Sequence, residues 1–255
     1  MKPTRQEQIY QYIKEHENAG TLELAAYFNV SDMTVRRDLT ELESQGRIAR
    51  FHGGAFIPSE KATEDAFSLR AETNKSSKLA IGKRAGAFLQ ERQRAGEPVF
   101  LGSGSTVYHF ARQLSSADVP LITDSLHTAL TLAESNSVIM LGGEIAHPSL
   151  NATGYLAEKM LSGLAIGCAF IGSSAIDESG CICAYNLVES GMCSTVISNS
   201  KHIVILADHT KIGKSNMVKI HTLDSKFTLI TDAEVPCLDQ YRELGAEVIV
   251  TACGS

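Results

Sequence analysis

Short apolar runs recur at regular intervals through the later two thirds of the chain: Val99 to Leu101, Leu121 to Thr123, Val138 to Leu141, Ala169 to Ile171, Ile203 to Leu206, Leu229 to Thr231 and Val248 to Val250. Stretches of helical spacing separate most of them, among them Lys78 to Arg94, Val107 to Leu114, Leu126 to Ala133 and Tyr155 to Leu164. Strands alternating with helices predict an α/β fold, with a mostly parallel sheet in an αβα layering. Ligands on such sheets bind beyond the C-terminal ends of the strands.

Those ends are polar here. After the first run comes Gly102-Ser103-Gly104-Ser105-Thr106. Its glycines allow close backbone approach, its hydroxyls can donate, and the helix that follows offers free N–H groups, a combination suited to an anion such as phosphate. Thr123-Asp124-Ser125, Gly142-Gly143-Glu144, Ser173 to Asp177 and Asp208-His209-Thr210-Lys211 close other runs. Five polar loops on one sheet edge point to a ligand pocket.

The N-terminal part follows a different rule. Ile9, Tyr12, Ile13 and His16 space a first helix from about Arg5 to Glu17, and Thr21 is placed to cap a second through Leu24 and Phe28. After the turn Asn29-Val30-Ser31, with Ser31 as N-cap, a third helix runs from about Asp32 to Gln45. Val35, Leu39 and Leu42 form its apolar stripe; Met33, Arg37, Thr40 and Ser44 lie opposite, flanked by Thr34 and Arg36. Three short helices with a tight turn before the third predict a helix-turn-helix at about residues 21–45. An arginine pair on the third helix suits guanine in the major groove, and Met33 and the Thr34 methyl suit thymine. Arg47 to Phe51, followed by His52-Gly53-Gly54, reads as a small β wing bringing Arg47, Arg50 and His52 to phosphates.

Three-helix bundles with an exposed arginine pair also occur without DNA, and residues 1–56 hold seven Lys or Arg against eight Asp or Glu. Binding depends on the local potential, so a patch of Arg36, Arg37, Arg47, Arg50 and His52 suffices. With a net charge of −6 for the whole chain, any DNA contact is confined to that patch and is expected to pair two copies of it.

Ile57 to Arg70 has a proline, several charges and little periodicity. The expected division is therefore a winged helix-turn-helix domain at 1–57, a linker at 58–75 and a ligand-sensing, oligomerising domain at 76–255. No run of eighteen apolar residues is present, and the N-terminus lacks a signal-peptide core, so a cytoplasmic protein with no membrane partner is expected. The cysteines, Cys168, Cys181, Cys183, Cys193, Cys237 and Cys253, read as free thiols, with no CxxC pair or histidine cluster to form a metal site. No metal and no cofactor are expected.

VSDMTVRRDLTELESQGRIARFHGGA resembles the signature of the DeoR family of bacterial sugar-metabolism regulators, in which V-S-x-x-T-[IV]-R-R-D-L precedes a wing ending in H-G-G. FLGSGSTVYHFARQL resembles the phosphate loop of ribose-5-phosphate isomerases, whose fold the DeoR effector domain shares. The resemblance implies a repressor of a carbohydrate-utilisation operon that binds double-stranded operator DNA as a homodimer or homotetramer and is relieved by a phosphorylated sugar. It places the sugar phosphate on Ser103 to Thr106, with Asp177, Asn186, Glu189, Asp208 and Lys211 at pocket positions. The chain departs from the family at Gly102, where Asp is usual, and at Asp124, where Asn is usual.

The same resemblance raises an enzyme reading. Aldose–ketose isomerisation needs a carboxylate base with a charged or hydrogen-bonding partner for the substrate oxygens. The isomerases supply these from an Asp-Gly-Ala-Asp-Glu stretch followed by a lysine and glycines. Here the stretch is Gly172-Ser173-Ser174-Ala175-Ile176-Asp177, with one Asp absent and no following lysine. Binding without catalysis is the expectation; an activator with the same fold is the other alternative.

Overall fold

The computed structural model describes residues 4–16, 18–45, 47–51, 53–56, 67–92, 96–114, 119–147 and 149–251. Two compact units divide it, Met1–Leu69 and Arg70–Ser255.

In the first unit, α1 (Arg5–His16) buries Ile9 and Ile13. It is followed by β1 (Asn18–Gly20), α2 (Thr21–Tyr27) and α3 (Asp32–Ser44). Ser31 caps α3 as expected, its hydroxyl accepting from the Thr34 N–H at 3.2 Å. Val35, Leu39 and Leu42 are fully buried, each worth about 1.5–3 kcal/mol. They pack with Ile9, Ile13, Leu24 and Ile48 into one core. The cap of α2 differs from the sequence expectation. Gly20 occupies it and Thr21 is the first helical residue, buried, while the Glu23 carboxylate accepts from the Gly20 N–H at 3.0 Å.

The wing is a hairpin of β2 (Ala49–Phe51) and β3 (Gly54–Phe56), extended by β1 on the far side of β3. No sequence alternation marked β1. Its three residues are held by the hairpin edge rather than by their own propensity.

The second unit is built on a seven-stranded sheet ordered β15-β14-β12-β9-β4-β5-β6, parallel at every pairing. Its strands are β4 (Val99–Leu101), β5 (Leu121–Thr123), β6 (Val138–Met140), β9 (Ile166–Gly172), β12 (Ser200–Leu206), β14 (Phe227–Thr231) and β15 (Glu247–Val250). Alternate strand residues feed two cores. Leu101, Phe170, Val204 and Ile230 face α4 (Lys75–Arg92), α5 (Ser105–Ala111) and α6 (Leu126–Ala133). Phe100, Ala169, Ile205 and Leu229 face α7 (Gly154–Ser162), α8 (Leu187–Asn199) and α9 (Leu238–Glu243). Two small antiparallel sheets complete the unit: β7 (Glu144–Ala146) with β8 (Asn151–Thr153), and β10 (Ala175–Ile176) with β11 (Cys181–Ala184) and β13 (Val218–Thr222).

The strand order reverses beside β4. The chain steps outward to β5 and β6, then returns to lay β9 on the other side of β4. A crevice opens outside the strand ends at such a point. The loop after β4 meets the end of β9 there, with the Gly102 N–H donating to the Phe170 carbonyl at 2.8 Å.

Candidate DNA-binding face and effector site

The outer side of α3 carries Met33, 75% exposed, together with exposed Arg36, Arg37 and Thr40. The acidic residues of this helix are each answered. Asp38 is buried and accepts from Arg5 of α1 at 2.6 Å, tying α1 to α3. Asp32 pairs with Arg36 at 2.9 Å, and Glu43 lies 3.9 Å from Arg50. The Thr40 hydroxyl donates to the Arg36 carbonyl and accepts from Arg50 Nη1 at 2.9 Å, which joins the wing to the helix. Arg37 forms no ion pair among the described residues and faces solvent.

Arg47 stands apart from this patch. Its guanidinium donates twice to Glu7, at 2.9 and 3.1 Å, and lies 4.0 Å over the Tyr10 ring. Its charge is thus answered within the fold. Thr34 and Ser31 share a 2.8 Å hydroxyl contact at the start of α3. His52 lies outside the described residues, as does the first half of the expected linker, residues 58–66.

At the strand ends of the second unit, Gly104 adopts φ +123° before α5, a conformation other residues avoid. Ser103 and Ser105 are half-buried and Thr106 is buried. Asp124, at the end of β5, is almost wholly buried, and burial pushes its carboxyl up to about 7 against the backbone N–H groups of Asp124 and Ser103. Its Oδ1 is buried with no hydrogen-bond partner. A carboxyl held this way beside the loop is sensitive to any charge that enters it.

Gly142 and Gly143 lead into β7, where Glu144 is exposed. Gly143 has φ +141°, and a Cβ there would come within 2.7 Å of the Thr153 carbonyl. Ser125 caps α6 through the Thr128 N–H, so its hydroxyl serves the fold.

Asn186 caps α8, its amide oxygen accepting from the Glu189 N–H at 2.9 Å. Burial raises the Glu189 carboxyl, opposed by nearby Arg70. Asp208 is 2% exposed and accepts from the Thr210 N–H at 3.0 Å and from the Thr210 hydroxyl. Lys211 ends the short 3-10 turn His209–Lys211, and burial lowers its ammonium, with Asp208 acting to raise it. Asp177 is committed elsewhere. Its Oδ1 accepts from Ser179 N–H, Ser179 hydroxyl and Cys181 N–H, and its Oδ2 lies 3.5 Å from Lys219.

The structure adds two cations to the sequence-derived set. Lys78 of α4 is 5% exposed, and burial lowers its ammonium to about 8, with Asp208 acting to raise it and Lys211 and Arg70 to lower it. Arg70 lies within electrostatic reach of Glu189, Tyr185, Lys78 and Lys211. None of Arg70, Lys78 and Lys211 forms an ion pair within 4.0 Å among the described residues, although ion pairs occur elsewhere in the unit. Lys78 carried a sequence signal: it stands three residues before Ile81 and seven before Ala85, on the buried stripe of its helix.

The cysteines among the described residues are free thiols, and Cys253 lies outside those residues. Burial pushes Cys168 and Cys193 up to about 12, and Cys181 is raised by the same cause. Asp177, Cys181 and Cys183 bring ligand atoms within 4.8 Å of one another. The carboxylate is nevertheless engaged by its own turn, and the thiols donate to the Ile182 and Cys181 carbonyls. A separate cavity of about 370 Å³ between α8 and β13, lined by Ser194, Ile197, His221, Asp224 and Lys226, includes none of the strand-end residues.

A helix-turn-helix with its wing, followed by an α/β unit with charged groups gathered at its strand ends, is the make-up of a DNA-binding transcriptional regulator with a sensor domain. Residues 5–61 match the DeoR-like helix-turn-helix domain and residues 73–233 the DeoR C terminal sensor domain. The chain is 30% identical over 240 residues to the glycerol-3-phosphate regulon repressor of Escherichia coli (strain K12), covering 92% of this chain and 93% of that one. It is 30% identical over 249 residues to the transcriptional repressor GlcR of Bacillus subtilis (strain 168), covering 95% and 94%. The lactose phosphotransferase system repressor of Staphylococcus aureus (strain NCTC 8325 / PS 47) is also 30% identical, covering 91% and 93%. The protein belongs to the DeoR family of transcriptional regulators. Among solved structures, the ribose 5-phosphate isomerase A of Methanocaldococcus jannaschii overlaps 55% of each chain at 18% identity and TM-score 0.37, too distant a likeness to carry an argument. No described helix is long and apolar enough to cross a membrane.

Proposed function

We propose that this protein represses a carbohydrate-utilisation operon in the cytoplasm and releases its operator when a phosphorylated sugar binds the C-terminal domain. Residues 1–57 read double-stranded DNA, 58–75 link, and 76–255 sense the effector and hold a dimer or tetramer together. The observation that carries the effector class is the set of three cations at the polar strand ends, Arg70, Lys78 and Lys211, one of them buried and none with an ion-pair partner among the described residues. Burying an ammonium without a counter-ion is costly unless an anion completes it. The Ser103–Thr106 loop supplies neutral donors for the same anion, and Asp124, Glu189 and Asp208 supply acceptors for sugar hydroxyls. The glycerol-3-phosphate and lactose phosphotransferase repressors among the relatives support a phosphorylated ligand.

On the DNA side, Arg36, Arg37, Thr40 and Met33 face the bases and Arg50 the phosphates, while Arg47 braces the wing against α1. Ligand binding proceeds without turnover. Asp177, the carboxylate left in the stretch that resembles the isomerase motif, already accepts three hydrogen bonds and faces Lys219, which makes it a poor general base.

The test is binding of the purified full chain to DNA from its own upstream region, titrated with triose, pentose and hexose monophosphates and the matching free sugars. Release by one phosphate ester and not by its free sugar is expected. Specific binding that no phosphate alters would remove the effector assignment and leave the DNA-binding one.

A further inference from the structure

The border between the two units falls between Leu69 and Arg70, and the residues just past it are held by their backbone carbonyls. Lys78 Nζ donates to the carbonyl of Arg70 and to that of Thr73, the latter at 2.6 Å. His109 of α5 reaches the Ala71 carbonyl at 2.9 Å through Nε2. A carbonyl only accepts, so this contact assigns the ring proton to Nε2. Three of the four carbonyls from residue 70 to residue 73 therefore rest on two side chains that are 5% and 1% exposed.

Both side chains come from helices that border the strand-end site. α5 opens with Ser105 and Thr106 of the anion loop, and Lys78 shares the field of Asp208, Lys211 and Arg70. An ammonium has three N–H donors, and the two carbonyls are neutral acceptors. A phosphate oxygen forms a charge-assisted hydrogen bond about twice as strong as a neutral one, so an anion at the strand ends competes for the same ammonium.

We propose that Lys78 and His109 form a clamp coupling the effector site to the point where the chain passes between its two units, so that an anion at the strand ends loosens the hold on residues 70–73. The inference rests on the reading that an anionic effector binds at those ends. It identifies His109, which lies behind the loop, as a positioning residue for the response. His109 Nδ1 is buried without a hydrogen-bond partner, so among the described residues the ring's one side-chain hydrogen bond is the one to the Ala71 carbonyl.

The test uses the full chain and the phosphate ester that releases the wild-type protein, with inorganic phosphate beside it. Operator affinity is measured without ester and at saturating ester, and ester affinity is measured separately by calorimetry. A wild-type ratio of operator affinities of about 5 to 150 is expected. His109→Phe should still bind the ester yet show a ratio near one, and His109→Gln, which keeps a donor, should recover the response. A change in ester affinity alone moves the concentration needed and leaves the ratio at saturation untouched, so a wild-type ratio in His109→Phe overturns the clamp. If that variant does not fold, amide hydrogen exchange of residues 70–74 in the wild type decides: ester should speed it, and unchanged exchange overturns the inference. If no ester releases the wild-type protein, the effector reading itself has failed and the clamp fails with it, an outcome the wild-type control separates from the others.

Discussion

The two units of this repressor-family protein handle charge in opposite ways. On the outer side of α3, Arg36 and Arg37 stand in solvent, and acidic neighbours there are paired across the surface, as with Arg36 and Asp32 or Arg50 and Glu43. At the strand ends of the sensor unit, Lys78, Asp124 and Asp208 are buried and Lys211 and Glu189 half-buried, while Arg70 is exposed, and none of the three cations has an ion-pair partner among the described residues. Exposed cations suit a polyanion that is gripped and released through its counterions. Desolvated ones suit a small ligand whose charge must be felt strongly, because interactions in a low-dielectric site are screened least.

The sharpest way to break this contrast is to put an opposing charge into the buried site. Ser105→Asp places a carboxylate in the anion loop, where like charges at contact repel by on the order of 4 kcal/mol. The expected product binds operator normally and ignores every phosphate ester in the titration. A retained response would move the ligand away from the loop.

Asp124 tests the buried side without any ligand. Its carboxyl is raised from 3.8 to about 7 by burial, so the native state holds the proton longer than the unfolded chain does. Stability is therefore full below about pH 4, falls as the pH climbs toward 7, and levels off above that. Asp124→Asn has no such proton to lose. Thermal unfolding from pH 4 to 8 should show the wild type losing a few kcal/mol relative to the variant across that window, and parallel curves would mean that the carboxyl is not held as described.

On the exposed side the expected effects are smaller. Arg37→Ala should cost about 1–3 kcal/mol of operator affinity and relax preference at one base pair, as expected for a guanidinium on guanine. Unaltered binding would remove Arg37 from the reading set. Arg50→Ala should weaken all DNA sequences alike and reduce the slope of log affinity against log salt by about one. A loss confined to the operator would contradict its phosphate role and blur the division between base-reading helix and backbone-gripping wing.

The sequence made the frame legible where burial is periodic. The stripe Val35, Leu39 and Leu42 is fully buried, and the helix expected from Leu126 to Ala133 has those bounds. All seven expected runs are strands of the parallel sheet. The small sheets escaped because strands such as β8 and β10 have only two or three residues, too few to show an alternation.

Within the site, loop residues adjacent in sequence were readable, whereas residues brought in from a distance were not. Lys78 and Arg70 precede the first strand of the sheet by more than one helix-length of sequence, and only the fold brings them to its far edge. The lysine was overlooked among the other charges of its helix, although its place on the apolar stripe distinguished it. The partnerships that absorb Arg47 and Asp177, with Glu7 and with Ser179 and Cys181, depend on side-chain directions that spacing does not carry.

The central claim is that a buried anion site and an exposed DNA-reading face act on one equilibrium, and linkage makes it measurable from either end. The most direct measurement is the affinity of this chain for its releasing phosphate ester, with and without saturating operator DNA. Operator should weaken ester binding by the same factor by which ester weakens operator binding. Equal ester affinity in both conditions, with operator occupancy verified, would contradict the claim.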